Sequence, residues 1–372
     1  MIYLDNAATT KMFEGGVDIY KKYACQSFFN PSAGYYEAIS VMNDLNTVRE
    51  KIKKVLSAVE GQIVFTSGAT ESNNLALLGS RRNGNWEYVF SEGEHPSVYN
   101  VAKYLESQGH KVHYIGLTSD GQIDYNQLEN VVNEKTRLIS AMHVSNETGA
   151  INNLKLLDEI RKKKSPKAIL HIDGVQAFCK LPLNLDLYHI DLYTISAHKF
   201  HGPKGVGALY VRNPSIIKNI VYGGGQEKGL RSGTENTAGI MAMGYAIDNI
   251  DIQKNYQIVS NLKDRLIENI NDKKGISVLD VGSPYIIGVS FEGVNGETLM
   301  RALQAEGVLV GVGSACSTKY AGNRVLEKMG FKLNEIKTHI RISFCEDLTF
   351  DDIDKASKKI LQTYYNLLEK LK

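Results

Sequence analysis

Between about residues 63 and 211, seven short apolar runs follow one another: QIVFTS, EYVFSE, KVHYIG, RLISAMHVS, AILHIDG, DLYTIS and GALYVR. Helical patterns such as HPSVYNVAKYLESQG and NLKLLDEIRKKK lie between them. Runs this short, rich in branched and aromatic residues and nearly continuous in apolar character, read as strands buried on both faces. Strands that alternate with helices pair side by side rather than as hairpins, because each helix carries the chain back to the same edge. The predicted architecture is α/β, a mostly parallel sheet covered by helices on both faces. Its site is expected at the carboxyl ends of the strands.

After Thr234 the pattern changes. A helical stretch over 234–271 leads into ISVLD, YIIGVSFE, NGETLMRALQAEG, VLVGV, HIRISF and a long final helix from Asp351 to Lys372, which together read as a smaller α+β unit. A chain of 372 residues has room for two domains. The expected division is a large cofactor-binding domain over 13–250 and a small domain built from 1–12 and 251–372, the latter carrying the loop around Cys316 and the strand of Arg341. No internal repeat, low-complexity segment or long linker interrupts the sequence.

Charge and cysteine usage exclude several classes of function. Forty-three Lys and Arg against forty-one Asp and Glu leave a net charge of +2, without the basic footprint of a nucleic-acid binder. The basic run from Arg161 to Lys164 reads as a solvated helix end. The four cysteines, Cys25, Cys179, Cys316 and Cys345, have neither CxxC nor zinc-site spacing, which points to a reducing compartment and no metal. The start MIYLDNAATT carries an acid at position five and does not read as a signal peptide, and no apolar run approaches the roughly 20 residues of a membrane span. The expectation is a soluble cytoplasmic protein with a small-molecule or protein partner, no membrane and no direct nucleic-acid contact.

The polar residues at strand ends carry the chemistry. Lys199 follows DLYTIS and is flanked by Ser196, His198 and His201, an environment poorly explained by surface solvation. Asp173 ends the run ILHID, where a carboxylate costs free energy unless a cation meets it; the plain alternative is a cap on GVQAF. An amine to hold an aldehyde and a carboxylate to keep a ring nitrogen protonated suggest pyridoxal phosphate. Gln176 could then donate to that ring's phenolic oxygen. His95 in SEGEHPSV could lie flat on the ring, or cap and pack. Thr70 in FTSGATESNN and Thr234 in GGGQEKGLRSGTEN begin helical patterns and are candidates for anion binding or for simple caps. Ser196 and His198 could share a phosphate. Arg341 in HIRISF could clamp a carboxylate or form a strand-edge ion pair, and Asn146 in HVSNETGAI could assist at that carboxylate or at the cofactor's phenolic oxygen, or serve a turn. Cys316, in the small-residue loop GVGSACSTKYAGN, could be delivered to a bound substrate, and a lysine-held cofactor with a deliverable thiol means sulfur chemistry.

Ten segments in order, YLDNAATT, NPSAGYYEA, FTSGATESNN, EHPSV, HVSNETGAI, HIDGVQAF, SAHKFHGPKGVGALYV, GGGQEKGLRSGTEN, GSACS and HIRIS, resemble the cysteine desulfurases of the NifS/IscS type along nearly the whole chain. That family belongs to the class V aminotransferase group of pyridoxal phosphate enzymes with fold type I. The resemblance implies that Lys199 holds the cofactor and moves the Cα proton, that Asp173 pairs with the ring nitrogen, that Gln176 reaches the phenolic oxygen and that His95 stacks on the ring. It implies a phosphate site of Thr70, the Ala69 backbone, Ser196 and His198, with Thr234 reaching in from the neighbouring subunit of a homodimer. Arg341 and Asn146 would hold the carboxylate of L-cysteine. Cys316 would take its sulfur as a persulfide, leave L-alanine, and pass the sulfur to an acceptor protein such as an iron–sulfur scaffold or a tRNA-thiolation enzyme.

The chain departs from the family pattern at Tyr35, where His is common, at Val312, where Ser is usual, and at Cys345, where Gly is usual. Strand alternation would place Cys345 on one face with Arg341 and Ser343, near the substrate carboxylate. Two other readings are a different fold type I enzyme, such as a selenocysteine lyase or an aminotransferase, and a non-catalytic docking platform. A scaffold would have no reason to keep Lys199, Asp173, His95 and Cys316 together.

Overall fold

The computed structural model describes residues 1–313 and 323–371. The chain opens with β1 (Ile2–Leu4), α1 (Glu14–Cys25) and α2 (Tyr36–Leu56). It continues through β2 (Gln62–Thr66), α3 (Ala69–Gly79), β3 (Glu87–Ser91), α4 (Pro96–Ser107), β4 (Lys111–Ile115) and α5 (Tyr125–Val131). Next come β5 (Thr136–Met142), α6 (Leu154–Lys164), β6 (Ile169–Asp173), β7 (Leu192–Ser196) and β8 (Gly207–Val211). These seven strands, β2 to β8, form one sheet in the order β2-β8-β7-β6-β5-β3-β4. Four neighbouring pairs are parallel, while β8 runs antiparallel to both β2 and β7. The sheet is therefore mostly parallel, and the helix between most strands is what makes it so.

Alternate side chains of each strand enter different cores, the two-residue period of a pleated strand. Ile63 and Phe65, Val89, Ile139 and Ala141, Leu170 and Ile172, and Tyr193 and Ile195 lie in one core with α2 and α6. Val64, Tyr88 and Phe90, Leu138, Ile169 and Leu192 lie in the other with α3 and α4. Burial on both faces explains why these runs are nearly continuously apolar.

Beyond β8 come α7 (Thr237–Asp248), α8 (Ile252–Ile270), β9 (Ile276–Leu279), β10 (Ile286–Phe291), α9 (Gly296–Ala305) and β11 (Val308–Val310). The chain then forms α10 (Arg324–Lys328), α11 (Leu333–Lys337), β12 (His339–Ser343) and α12 (Phe350–Lys370). The helical stretch over 234–271 is thus two helices. Asp251 breaks it, its side chain accepting from Lys254 N to start α8 afresh. Strands β12, β10 and β9 form an antiparallel sheet. Val259, Leu266, Leu299, Leu303, Ile353 and Ile360 pack with it in a further core. The first residues join this core, for β1 pairs in parallel with β11. Ala7 N donates to Ser343 Oγ at 2.9 Å and Asn6 Nδ2 donates to Ser343 O at 3.2 Å. No helix among the described residues is long and apolar enough to cross a membrane.

Gly149 fits the loop after β5 against β10. Its φ is +82°, its carbonyl accepts from Ser283 N at 3.0 Å, and an added Cβ would lie 2.5 Å from the Ile286 carbonyl oxygen. Gly149→Ala is expected to cost about 2 kcal/mol and to lower the midpoint of thermal unfolding; an unchanged midpoint would show that the contact yields freely.

Candidate active site

One edge of the large sheet collects the polar residues. Strand β6 ends at Asp173, beside Met142 at the end of β5 and Thr194 on β7. Strand β7 ends at Ser196 and turns through Ala197–Lys199; β2 ends at Thr66, just before α3; His95 follows β3 as the N-cap of α4; Asn146 follows β5. Antiparallel β8 begins at the same edge, with Gly207 opposite both Thr66 and Ser196. A Cβ on Gly207 would lie 2.7 Å from the Gly68 backbone, so only glycine lets the turn before α3 rest there.

Lys199 is held from the N-terminal segment. Its Nζ donates to the Ala7 carbonyl at 2.6 Å and to the Ala8 carbonyl at 2.8 Å. Burial, with the charges of Lys180 and Arg341, pulls its pKa from 10.5 to about 7. The His198 carbonyl accepts from Thr10 N at 2.9 Å and Thr10 Oγ1 at 3.0 Å, and His198 Nδ1 lies 3.1 Å from Thr9 Oγ1. Burial, followed by the nearby Lys199 and Lys204 charges, brings the His198 pKa down to about 4. Gln176 Nε2 donates to the same Ala7 carbonyl at 2.9 Å, while its Oε1 accepts from Lys180 Nζ at 3.0 Å.

Asp173 is 2% exposed. Its Oδ1 accepts from Val175 N at 3.1 Å and its Oδ2 from Asn73 Nδ2 at 2.9 Å. Asn73 Nδ2 also donates to Ser97 Oγ at 2.9 Å, which lies 2.8 Å from His95 Nδ1. Because Ser97 N also donates to Nδ1, the neutral His95 ring carries its proton on Nε2. Burial lowers the His95 pKa. Glu94, next to it and fully buried, is driven well above the usual carboxylate range by burial and then by the Asp173 charge. Among the described residues no Lys, Arg or His pairs with Asp173. A carboxylate this buried, supplied by two neutral donors, has the character of a socket for a cationic donor.

Arg341, on β12, donates from Nη1 to the Asn146 carbonyl at 2.8 Å and from Nη2 to Asp5 Oδ1 at 2.8 Å. Its buried Nε has no partner among the described residues. Asn146 thus meets Arg341 through its backbone, and its side chain donates to Glu147 Oε1 at 2.8 Å. Thr70 and His95 line a cavity of about 540 Å³ together with Asn74, Ser97 and Tyr104. The N-cap of α3 is Gly68, which has no side chain to satisfy the first-turn amides of Ala69 and Thr70. Thr234 is exposed, in the loop whose Arg231 pairs with Glu71 in the first turn of α3 at 2.7 Å. Cys316 lies outside the described residues.

Cys345 departs from the expectation of strand alternation. Strand β12 ends at Ser343, so its face does not extend to Cys345; the thiol instead lines a small cavity with Lys199, Lys180, Tyr285 and Glu346. Burial, followed by the Asp347 and Glu346 charges, pushes its pKa up to about 12. Tyr35 is the exposed N-cap of α2. The roles of Asn73, Lys180 and the Ala7 carbonyl are absent from the sequence reading. Asn73 had a signal, three residues from Thr70 on a helix that must bury one face; Ala7 had none, since a carbonyl is common to every residue.

The free amides at α3, the unpaired Asp173, the donor Gln176 and the low-pKa amine of Lys199 form a donor set that fits pyridoxal phosphate. The class-V aminotransferase family model matches residues 2–356. A cysteine desulfurase of a Nostoc species is 34% identical over 100% of this chain and 94% of its own length. The cysteine desulfurase IscS of Clostridium botulinum is 34% identical over 95% of this chain and 91% of its own. A solved NifS-like protein superimposes with a TM-score of 0.91 at 32% identity, covering 97% of this chain and 98% of that one.

The Lys199 amine has a thermodynamic signature. Its folded pKa of about 7 lies below the ordinary 10.5, so between these values the unfolded chain binds more protons and stability rises with pH. In cofactor-free protein, Lys199→Met is expected to flatten the rise in melting temperature over that window; a slope equal to the parent's would show that the amine is not depressed.

Proposed function

The chain belongs to the class-V aminotransferase family, with cysteine desulfurases as full-length relatives, and from that membership we propose how its own residues perform the reaction. The activity is pyridoxal phosphate-dependent removal of sulfur from L-cysteine. The observation that carries the reading at the level of residues is the Lys199 amine, held at two carbonyls with a pKa near neutrality.

When bound, pyridoxal phosphate supplies an aldehyde that takes up an amine and an electron-poor ring that stabilises negative charge at the neighbouring carbon. Lys199 would hold the aldehyde and would move the proton at the substrate Cα; an amine poised near pH 7 can accept and return a proton at little cost. Asp173 would accept from the ring nitrogen, Gln176 would donate to the phenolic oxygen, and His95 would lie against the ring. The Ala69 and Thr70 amides, the Thr70 hydroxyl, Ser196 and His198 would hold the phosphate. Arg341, with Asn146 beside it, binds the substrate carboxylate; its Nε is still free for that bond.

Cys316 attacks the substrate sulfur as a thiolate. A sulfur–sulfur bond forms as the carbon–sulfur bond breaks, the electron pair passes to the former Cβ, and protonation there leaves L-alanine. The outer sulfur of the Cys316 persulfide then goes to an acceptor protein, an iron–sulfur scaffold or a tRNA-thiolation enzyme. We place this reaction in the cytoplasm, in a homodimer whose Thr234 completes the neighbouring phosphate site, with a large domain over 13–250 and a small domain of 1–12 and 251–372. The exposure of Thr234 is what a contribution in trans requires.

The test is anaerobic turnover of L-cysteine with a thiol reductant, counting alanine and sulfide. The parent is expected to form both, and Cys316→Ala neither, with its cofactor absorbance kept. Pyruvate and ammonia from the parent, or undiminished turnover by Cys316→Ala, would remove the thiol from the mechanism.

A further inference from the structure

Lys180 is a lysine with 6% of its surface exposed, close to a second buried amine. The two are joined by a continuous path: Lys180 Nζ donates to Gln176 Oε1 at 3.0 Å, Gln176 Nε2 donates to the Ala7 carbonyl at 2.9 Å, and Lys199 Nζ donates to that carbonyl at 2.6 Å. Both lysines also line the small cavity with Cys345 and Glu346. We propose that Lys180 is a positioning residue of the active site, acting on the Lys199 amine through the charge it carries at neutral pH and on Gln176 by holding the Oε1 end of the amide.

The amide argument follows from donor chemistry. An ammonium has only donors, so Gln176 must turn Oε1 to Lys180, which leaves Nε2 at the Ala7 carbonyl and on the side of Lys199. Without Lys180 the Ala7 carbonyl, an acceptor only, still selects Nε2, but Oε1 loses its donor and the amide is held at one end instead of two. The charge argument rests on burial of like charges together, since a cation close to an amine in a low-dielectric site favours its neutral form. The charged groups facing Lys199 are Lys180, Arg341, Asp5 and Asp173. Those facing Lys180 are Glu346, Cys345, Arg341 and Cys179; burial brings its own pKa down to about 8, so it still carries its charge where Lys199 titrates and loses it toward the upper end of the range. Glu346 is shared with Asn255 Nδ2 at 2.6 Å and His201 Nε2 at 3.4 Å, so it does not neutralise Lys180 alone.

The consequence for turnover rests on the proposed role of Lys199; the effect on its charge state does not. Full-length cofactor-free protein is mixed with pyridoxal phosphate from about pH 6 to 9, and the rate of covalent capture is read by absorbance. Capture needs the uncharged amine, so its pH midpoint follows Lys199, and the aldehyde's own titration is common to all variants. Lys180→Met is expected to raise that midpoint by about one unit, slowing capture at neutral pH about tenfold. Lys180→Arg, which keeps the charge, is expected to keep the parent midpoint. Should Lys180→Met fail to fold, Lys180→Gln removes the charge while keeping a donor and reads the same midpoint. The proposal is overturned if the neutral variants keep the parent midpoint, or if Lys180→Arg moves as far as Lys180→Met. A parent that makes no alanine from L-cysteine, with the midpoint shift intact, sinks the functional reading and leaves this inference standing.

Discussion

Three cations, the buried Lys180 and Arg341 and the half-buried Lys199, surround one short stretch of N-terminal backbone, and the site depends on how that stretch receives them. Ala7 and Ala8 offer carbonyls to Lys199, Asp5 offers its carboxylate to Arg341, and Gln176 passes the Lys180 bond on to Ala7. Carbonyls are dipoles rather than charges. They satisfy an ammonium's hydrogen bonds without neutralising it, so burying the amine still favours its uncharged form. A carboxylate in the same position would have stabilised the charged amine and removed its nucleophilicity.

The same stretch connects the large sheet with the antiparallel sheet and its core. Strand β1 pairs with β11, and Ala7 N bonds Ser343 at the end of β12, while Thr10 bonds the backbone of His198 beside Lys199. Arg341 reaches from β12 to the Asn146 carbonyl after β5. Residues of the antiparallel sheet are thereby set against strand ends of the large sheet, with Arg341 and Lys199 both meeting the N-terminal segment. Among the described residues the buried Nε of Arg341 has no hydrogen-bond partner and Asp173 no cationic one, and a buried polar group without a partner costs free energy.

Much of this was legible along the chain. The strands of the large sheet and their common carboxyl edge follow from apolar runs alternating with helical patterns, because a buried parallel strand must be apolar on both faces. Lys199, Asp173, Gln176 and His95 stood out because charged or polar groups at the mouths of buried strands need a partner. The helical stretch expected over 234–271 is two helices, divided where Asp251 caps the start of the second. Cys345 escaped the alternation argument because the strand that would have carried it ends two residues earlier.

What the sequence determined by itself was the α/β architecture, the residues able to do chemistry and, through ten ordered segments, the family. Those are properties of local period and of residue type, and both are written along the chain. Tertiary structure alone decided that Lys180 stands behind Gln176, that Asn73 ties Asp173 to Ser97 and His95, and that Arg341 meets the carbonyl of Asn146 rather than its side chain. Such pairings join residues up to 195 positions apart. They depend on backbone atoms and on burial, and no local pattern encodes which carbonyl a folded chain will bring to a buried amine.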